Sequence, residues 1–142
     1  GYAQTLPAPA AGAPTLALQD IKRKMGITPI GKRHRIAGTA ELDGFNKRAD
    51  PRRAAAMLDT LMDLIPDCGD PRSAELWTGL SPMTPDCAPI IGPTSLENLY
   101  LATDHGSLGW TLACGSGRIV AYMMSARPPA VDLGGLTIDR FL

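Results

Sequence analysis

One stretch of the sequence, residues 50–66, carries the clearest helical pattern, and it separates two runs of short extended segments. Asp50 is suited to cap a helix, Pro51 fits the first helical position, and Pro66 ends the helix. Between them the apolar residues recur at helical spacing, at Ala54, Met57, Leu58, Leu61, Leu64 and Ile65. Because the opposite face is charged, this pattern predicts an amphipathic helix that packs on a sheet.

Short segments on both sides of this helix are typical of strands. Before it, strands are predicted at residues 1–6, 15–24, 25–30 and 33–42, with Gly31-Lys32 as a two-residue hairpin turn. After it, strands are predicted at 73–80 and 98–103, turns at 81–93, and a second helix at 107–125. Strands followed by one helix, then strands followed by another, favour an α+β fold with a mainly antiparallel sheet and packed helices.

The balance of charge argues against nucleic acid or an anionic membrane as a partner. Fourteen basic residues offset fourteen acidic ones among 142, so no net field attracts a polyanion. The basic stretches 22–24 and 32–35 contain no aromatic residue for base stacking, and they are predicted to be solvated sheet faces, with His34 included. The best apolar run, residues 119–124, is far shorter than the roughly 20 residues that a membrane span needs.

The cysteine and histidine content predicts neither a disulfide framework nor a metal site. Cys68, Cys87 and Cys114 are odd in number and far apart, which is typical of reduced cysteines in a cytoplasmic protein. The two histidines are distant in sequence, and the second, His105, is expected to orient a turn by hydrogen bonding. The chain begins at Gly1 without a leader, so it is expected to be the interior of a longer protein.

Residues 99–117 carry an unusual concentration of small residues. Gly106, Gly109, Ala113 and Gly117 recur at three- and four-residue spacing, so one stripe of the predicted helix has almost no side chains. Glycine inside a helix costs about 0.5–1 kcal/mol relative to alanine, so the stripe needs a physical reason. Either the helix packs tightly on a strand, or a flat ligand approaches free amides at residues 106–109, where the helix dipole favours an anion.

The later half of the chain also carries a series of short motifs: Trp77-Thr78-Gly79-Leu80, Pro82-Met83-Thr84-Pro85-Asp86, Pro89-Ile90-Ile91-Gly92, Asn98-Leu99-Tyr100-Leu101, His105-Gly106, Leu108-Gly109-Trp110-Thr111 and Ala113-Cys114-Gly115-Ser116-Gly117. In combination they resemble the bacterial D-amino acid dehydrogenases, an FAD-dependent family in the D-amino acid oxidase and glycine oxidase superfamily. The resemblance continues with less specificity through Gly38-Thr39-Ala40-Glu41 and Gly44-Phe45 to the first strand, so it covers nearly the whole chain.

The resemblance implies how the chain is divided and what lies outside it. Residues 1–97 would be the sheet and helix of the substrate domain, and residues 98–142 the last strand, turn and helix of the FAD-binding domain. The glycine-rich βαβ unit that holds the FAD pyrophosphate in this family has no match here, so the N-terminal Rossmann unit is expected to be missing from this chain. That FAD-binding half is then the expected partner, and the surface it would cover predicts self-association.

The resemblance also implies a cofactor, a reaction and a set of contacts. The cofactor is FAD, and the substrate is a D-amino acid that gives a hydride from its α-carbon, leaving an imine that water hydrolyses to a keto acid and ammonia. No residue is assigned as a catalytic acid or base, and the enzyme is expected in the cytoplasm, or attached peripherally to the inner membrane face. The expected flavin contacts are Gly92, His105, Gly106, Ser107, Leu108, Gly109, Trp110 and Thr111. The two tryptophans, Trp77 and Trp110, are otherwise expected in the core.

Four positions depart from the family pattern. Ser81 stands where an arginine usually pairs with the substrate carboxylate, and Ser107 stands where glycine oxidases carry another arginine. Cys87 and Asp104 replace glycines. Ser81 and Ser107 are thus the expected substrate-binding residues. Three interpretations stay open: the family activity in the longer protein, with this chain alone inactive; a diverged amine oxidoreductase with another substrate; and a non-catalytic remnant or partner-binding module.

Overall fold

Extended segments dominate the first 80 residues. The structure, a computed structural model, describes residues 1–9 and 11–142. Among its described residues, the first unit, Gly1–Leu80, contains five strands: β1 (Tyr2–Pro7), β2 (Leu18–Asp20), β3 (Met25–Ile30), β4 (Arg33–Gly38) and β5 (Glu75–Thr78). They form one antiparallel sheet in the order β2-β3-β4-β1-β5. With one helix packed on this sheet, the predicted α+β class is confirmed.

The predicted hairpin of β3 and β4 is confirmed. Ile30 pairs with Arg33 across the turn Gly31-Lys32. Gly31 has a φ of +59°, which the first central position of a type II′ turn requires.

The strands predicted at 33–42, 15–24 and 73–80 are shorter than the sequence pattern indicates. β4 stops before residue 42 because Thr39 adopts a left-handed φ of +50°, and Leu42, predicted to share the face of the buried Ile36, is fully exposed. The strand predicted at 15–24 is reduced to β2, since the residues after it form a turn that ends at Lys24 with a φ of +56°. Left-handed backbone cannot continue a β-ladder, so β4 ends at Gly38, whereas β2 already ends at Asp20, where the turn to Lys24 begins.

The helix α1 (Pro51–Leu64) begins and ends where the sequence predicts. The Asp50 carboxylate caps it by accepting the backbone N–H of Arg52 at 2.9 Å. A buried hydrogen bond of 2.6 Å, from Gln4 Nε2 to the carbonyl of Ala54, ties the helix to β1. The core between helix and sheet consists of Tyr2, Leu6, Met25, Ile27, Ile36, Met57, Leu61 and Cys68.

His34 is buried, and the prediction that it is solvated is wrong. It is 1% exposed, because the alternation of β4 turns it to the same face as the buried Ile36. Its Nε2 lies 3.2 Å from the carbonyl oxygen of Pro14 and donates to it, while Nδ1 has no partner among the described residues. The neighbouring Arg33 and Arg35 point to the opposite face, so the basic composition of the strand does not indicate that His34 is solvated.

Trp77 is half exposed, and the prediction that it is a core residue is wrong. It lies on the edge strand β5 with 54% of its surface accessible. The guanidinium carbon of Arg35 lies 5.2 Å from the centroid of its ring, on the same face of the sheet. A Cβ at Gly79 would overlap the indole, so the glycine of the Trp-Thr-Gly motif leaves room for this ring position.

The second unit, Ser81–Leu142, is smaller and contains the strands β6 (Ile90–Pro93) and β7 (Tyr100–Thr103) and the helix α2 (Gly109–Met124). The strands pair antiparallel, and α2 contacts both. β6 lies in a stretch predicted as turns; its first three residues are buried, and the prolines that suggested turns lie at or beyond its ends. The assignment of residues 1–97 and 98–142 to two domains of a longer protein stays a prediction.

Candidate functional site

The chain reverses direction sharply between β7 and α2. Asp104 and Gly106 have left-handed φ values of +59° and +56° on either side of His105. A short 3₁₀ turn, Gly106–Leu108, then leads directly into α2. A Cβ at Gly106 would lie 3.2 Å from Cγ of Met83, so both the φ and the space favour glycine there. This is the strand–turn–helix that the sequence predicts.

A second segment, which starts at Ser81, lies along this turn. The carbonyl of Pro82 accepts the N–H of the first glycine of the 3₁₀ turn at 3.1 Å, and Met83 and His105 form an antiparallel bridge. Ser81 and Ser107, the predicted substrate-binding residues, are both exposed and lie on these two neighbouring segments. The structure therefore brings together two stretches that the sequence separates by more than 20 residues.

The expectation of free amides at residues 106–109 is wrong for two of them. The N–H of Gly106 is used by Pro82, and the N–H of Leu108 donates to the carbonyl of His105 at 3.0 Å. Within the part of the chain that the structure describes, no side chain caps the 3₁₀ turn or the start of α2. The first turn of α2 therefore presents its positive dipole end without a side-chain acceptor.

His105 reaches from the turn to the second turn of α2. Its Nε2 lies 2.8 Å from Oγ of Ser116, which is 6% exposed. A Cβ at Gly109 would lie 3.6 Å from the Cβ of His105, so the imidazole begins beside the glycine and ends at the serine. Gly109, Ala113 and Ser116 share one face of the helix. Part of the small-residue stripe is thus explained by internal packing, with His105 orienting the turn as predicted.

Gly117, at the far end of the stripe, faces outward, and so does Gly115 on another face of the helix. Among the described residues, a Cβ at either position would have no neighbour within 4 Å other than its chain neighbours and the backbone of the helix itself. Trp110, expected in the core, is instead 95% exposed, and Leu108 and Thr111 are exposed beside it. An uncapped helix start therefore lies open on the surface, beside an apolar rim formed by Leu108 and Trp110.

Asp86, in the turn Thr84-Pro85-Asp86, forms an ion pair with Arg140 in the C-terminal segment. Arg140 Nε donates to Asp86 Oδ2 at 2.8 Å, and its Nη2 donates to the carbonyl of Ala88 at 2.6 Å. The guanidinium of Arg140, helped by the N–H of Ala88, holds the pKa of the Asp86 carboxyl well below its usual range. Sequence reasoning missed this pair because 54 residues separate its members and no local pattern marks them.

Gly92 lies apart from the turn. It pairs with Leu101 in the middle of the two-stranded sheet and is buried. Its φ is +153°, and a Cβ there would come within 3.0 Å of Cγ2 of Thr137. The contact that accounts for this glycine is thus with the C-terminal segment, and its contact with a flavin stays a prediction.

Two departures from the family pattern occupy left-handed backbone. Cys87 has a φ of +60° and Asp104 a φ of +59°, a backbone region that favours glycine, which is the residue that the resemblance implies at both positions.

Residues 1–9 and 11–142 contain no group of three or more His, Cys, Asp or Glu side chains placed to hold a metal ion. In the same ranges, no helix has the length and apolar character to cross a membrane. The three cysteines are free. Burial raises the pKa of the Cys68 thiol, so it packs in the core as a neutral group.

Comparison with known proteins places these elements among flavoenzymes. Residues 1–123 match the family described as FAD dependent oxidoreductase. The D-amino acid dehydrogenase of Bradyrhizobium diazoefficiens is 48% identical over 142 residues, which cover 99% of this chain and 34% of that protein. The D-amino acid dehydrogenase of Paramagnetospirillum magneticum is 49% identical with the same coverage. The chain thus spans about a third of the length of these relatives.

Solved structures show the same fold. Glycine oxidase from Geobacillus kaustophilus superimposes with a TM-score of 0.79 at 23% identity, over 99% of this chain and 39% of that one. Iminodiacetate oxidase from Chelativorans sp. BNC1 also has a TM-score of 0.79, at 18% identity, over 96% of this chain and 38% of that one.

Proposed function

This chain belongs to the FAD dependent oxidoreductase family, and on that premise we propose that it forms part of an enzyme that oxidatively deaminates D-amino acids to keto acids and ammonia. The observation that carries the proposal is the identity of 45–49% over nearly the whole chain to proteins named D-amino acid dehydrogenase. When bound, FAD accepts the hydride from the α-carbon of the substrate. The chain's own residues then have to position the flavin and the substrate and exclude water.

The turn between β7 and α2 is the segment that we assign to the flavin. Its residues leave the start of α2 without a side-chain cap and accessible to solvent. They are His105, Gly106, Ser107, Leu108, Gly109, Trp110 and Thr111. Positive helix-end potential near the ring would stabilise the negative charge that the flavin gains on reduction. His105 does no proton transfer in this scheme; it fixes the turn through Ser116.

The rest of the flavin site would lie outside these 142 residues. In this proposal residues 1–97 form the substrate-domain sheet and helix, residues 98–142 complete the FAD domain, and the glycine-rich nucleotide-binding half comes from elsewhere in a longer protein. The proposal is supported by the length of the relatives, of which this chain spans about a third. The exposed rim of α2 is where that half would dock. The chain alone would be inactive, and the expected location, cytoplasmic or peripheral at the inner membrane face, stays a prediction.

A second candidate is an amine oxidoreductase with another substrate. It is favoured by Ser81 and Ser107, because a neutral hydroxyl cannot reproduce the charged, bidentate grip of the arginines usual at these positions. The two candidates differ in which amines are oxidised. A non-catalytic remnant would oxidise none.

Bulk added at the start of α2 tests the proposal. In the longer protein that supplies the nucleotide-binding half, Thr111→Trp should lower FAD retention and D-alanine oxidation together, whereas Ala55→Trp, on the exposed face of α1, should change neither. Retention is measured by flavin absorbance after gel filtration, and oxidation by keto acid formation with an artificial electron acceptor. Full FAD retention in Thr111→Trp would refute the flavin-facing assignment. A flavin-loaded protein that oxidises other amines but no D-amino acid would favour the second candidate.

A further inference from the structure

Asp104 places a carboxylate at the start of the turn between β7 and α2. The residue is partly buried, and among the described residues it takes part in no salt bridge. Asp86, in the same unit, is by contrast bound to Arg140, whose Nε lies 2.8 Å from its Oδ2. The carboxylate of Asp104 is therefore a negative charge without a bound counter-charge.

The position of Asp104 in the chain keeps this charge close to the turn. One residue, His105, separates it from Gly106, so the α-carbons of Asp104 and Gly106 are at most about 7 Å apart. Both residues have left-handed backbone, with φ values of +59° and +56°, which folds the chain back instead of extending it. The charge therefore acts on the turn over a distance comparable to the Debye length of about 8–10 Å, where screening by salt is incomplete.

The arginines of the second unit, Arg118, Arg127 and Arg140, do not cancel this charge. Arg140 is bound to Asp86, and Arg127 follows the end of α2. Arg118 comes nine residues after Gly109, the first residue of α2, which places its α-carbon about 14 Å further along the helix axis. The nearest positive potential along the chain is the uncapped start of α2, equivalent to about half an elementary charge. The full charge of the carboxylate is therefore only partly offset there.

We propose that Asp104 lowers the reduction potential of the flavin. The inference rests on the proposed function, because it takes the turn between β7 and α2 as the flavin contact. Hydride transfer adds negative charge to the flavin, and a fixed carboxylate nearby disfavours that charge. The lower potential weakens the driving force for oxidation of the substrate, and it strengthens the driving force for passing the same two electrons on to an acceptor.

The charge of Asp104 can be removed without a change of backbone conformation. Asparagine has nearly the same shape as aspartate and tolerates left-handed φ equally well. Asp104→Asn therefore removes the charge and leaves the φ of +59° in place. The matched control is Glu97→Gln, because Glu97 is exposed, precedes the opposite end of β7 and loses the same charge far along the chain from the turn.

Redox titration of the FAD-loaded longer protein tests the proposal. The potential is measured without substrate, by equilibrium with a reference dye and by flavin absorbance. Asp104→Asn should raise the equilibrium constant for two-electron reduction about tenfold, equivalent to a potential about 30 mV higher, because unit charges several ångströms apart near a protein surface interact by roughly this much. Glu97→Gln should have the potential of wild type, and FAD retention should be equal in all three proteins.

The outcomes separate this inference from the proposed function. A potential in Asp104→Asn equal to or below that of wild type would overturn the inference, and so would an equal rise in Glu97→Gln. If the potential rises as expected but the loaded protein oxidises no D-amino acid, the proposed substrate fails and the role of Asp104 stands. A longer protein that retains no FAD would overturn both.

Discussion

Single residues in this chain are constrained by backbone conformation as much as by packing. Left-handed φ costs a non-glycine residue about 1–2 kcal/mol. Cys87 carries that cost at a φ of +60°, in a turn otherwise stabilised by Asp86 and Arg140. Asp104 is the milder case, since aspartate tolerates this region better than most residues. Strain at these two positions is therefore a property of this chain that a glycine-bearing relative would not share.

Replacing the strained cysteine should stabilise the fold. We expect Cys87→Gly to raise the free energy of unfolding by about 0.5–1 kcal/mol, because glycine adopts the positive φ without steric cost. The same substitution at Cys114, exposed in the middle of α2, should lower it by about 0.3–1 kcal/mol, because glycine is the poorer helix former. Urea unfolding of both variants measures this difference. Two changes of the same sign would contradict the backbone explanation.

The buried histidine should be replaceable by an apolar side chain. His34→Ala removes volume from the core and a hydrogen bond to Pro14, so we expect a loss of about 2–4 kcal/mol in the free energy of unfolding. His34→Leu keeps most of the volume and also removes the unpaired Nδ1, so its loss should be about 1 kcal/mol. Thermal unfolding of the two variants separates volume from hydrogen bonding. A loss in His34→Leu as large as in His34→Ala would show that the hydrogen bond dominates.

At the scale of elements, a helix whose signals lie in its own sequence was predicted correctly, whereas a strand that depends on pairing with a distant segment was not. The N-cap, the first-turn proline and the apolar stripe of α1 all lie within about 15 residues, and the helix forms where these signals predict it. The strand β6 was missed because its pairing with β7 and its contact with the C-terminal segment are not visible in its own sequence. The strand predicted at 98–103 forms as β7, but it begins only at Tyr100, because Asn98 has a left-handed φ of +62°.

The ion pair between the Thr-Pro-Asp turn and the C-terminal segment should make stability fall in acid. Because Arg140 lowers the folded-state pKa of Asp86, the contribution of this carboxylate is present above its ordinary pKa of about 3.9 and is lost as the pH falls towards the lower folded value. Asp86→Asn should therefore melt at a lower temperature than wild type at pH 7, and the difference should shrink below about pH 4. Asp59→Asn, on the exposed face of α1, is the control. A difference that stays the same from pH 7 to pH 3 would exclude this pair as its source.

The hydrogen bond between His105 and Ser116 should control how firmly the turn before α2 is held. Ser116→Ala removes one partner of a part-buried hydrogen bond of 2.8 Å, so we expect a loss of about 0.5–1.5 kcal/mol and faster hydrogen exchange at the amides of residues 106–109. Ser125→Ala, at the exposed end of the same helix, should leave that exchange unchanged. Protection of the turn amides equal to wild type in Ser116→Ala would mean that packing alone positions the turn.

At the scale of the whole molecule, the sequence indicated the family and the location of the candidate turn, but not which of its atoms are free. The glycine pattern was consistent with helix packing or with the approach of a ligand. Gly109 lies beside His105, which is packing, whereas Gly117 faces open space, and the approach of a ligand there stays a prediction. A sequence pattern also could not show that Trp110 is exposed, because the neighbours of a side chain in space are not visible in the sequence. Under the proposed function, this exposed surface is the one that other residues of a longer protein would cover.

That surface should make the isolated chain associate with itself. Leu108 and Trp110 expose large apolar areas at the start of α2, and burying such area contributes roughly 25 cal/mol per Å². We expect concentration-dependent dimers in sedimentation velocity, with Trp110→Gln raising the apparent dissociation constant at least about tenfold, equivalent to 1.4 kcal/mol.

Leu42→Gln removes an equally exposed apolar residue from the first unit and should have little effect. A chain that stays monomeric at high concentration, or that dissociates equally in both variants, would show that the rim of α2 is not an associating surface. If the rim instead docks the nucleotide-binding half, the longer protein should sediment as a monomer with Trp110 shielded from iodide quenching, because the same apolar area cannot be covered twice.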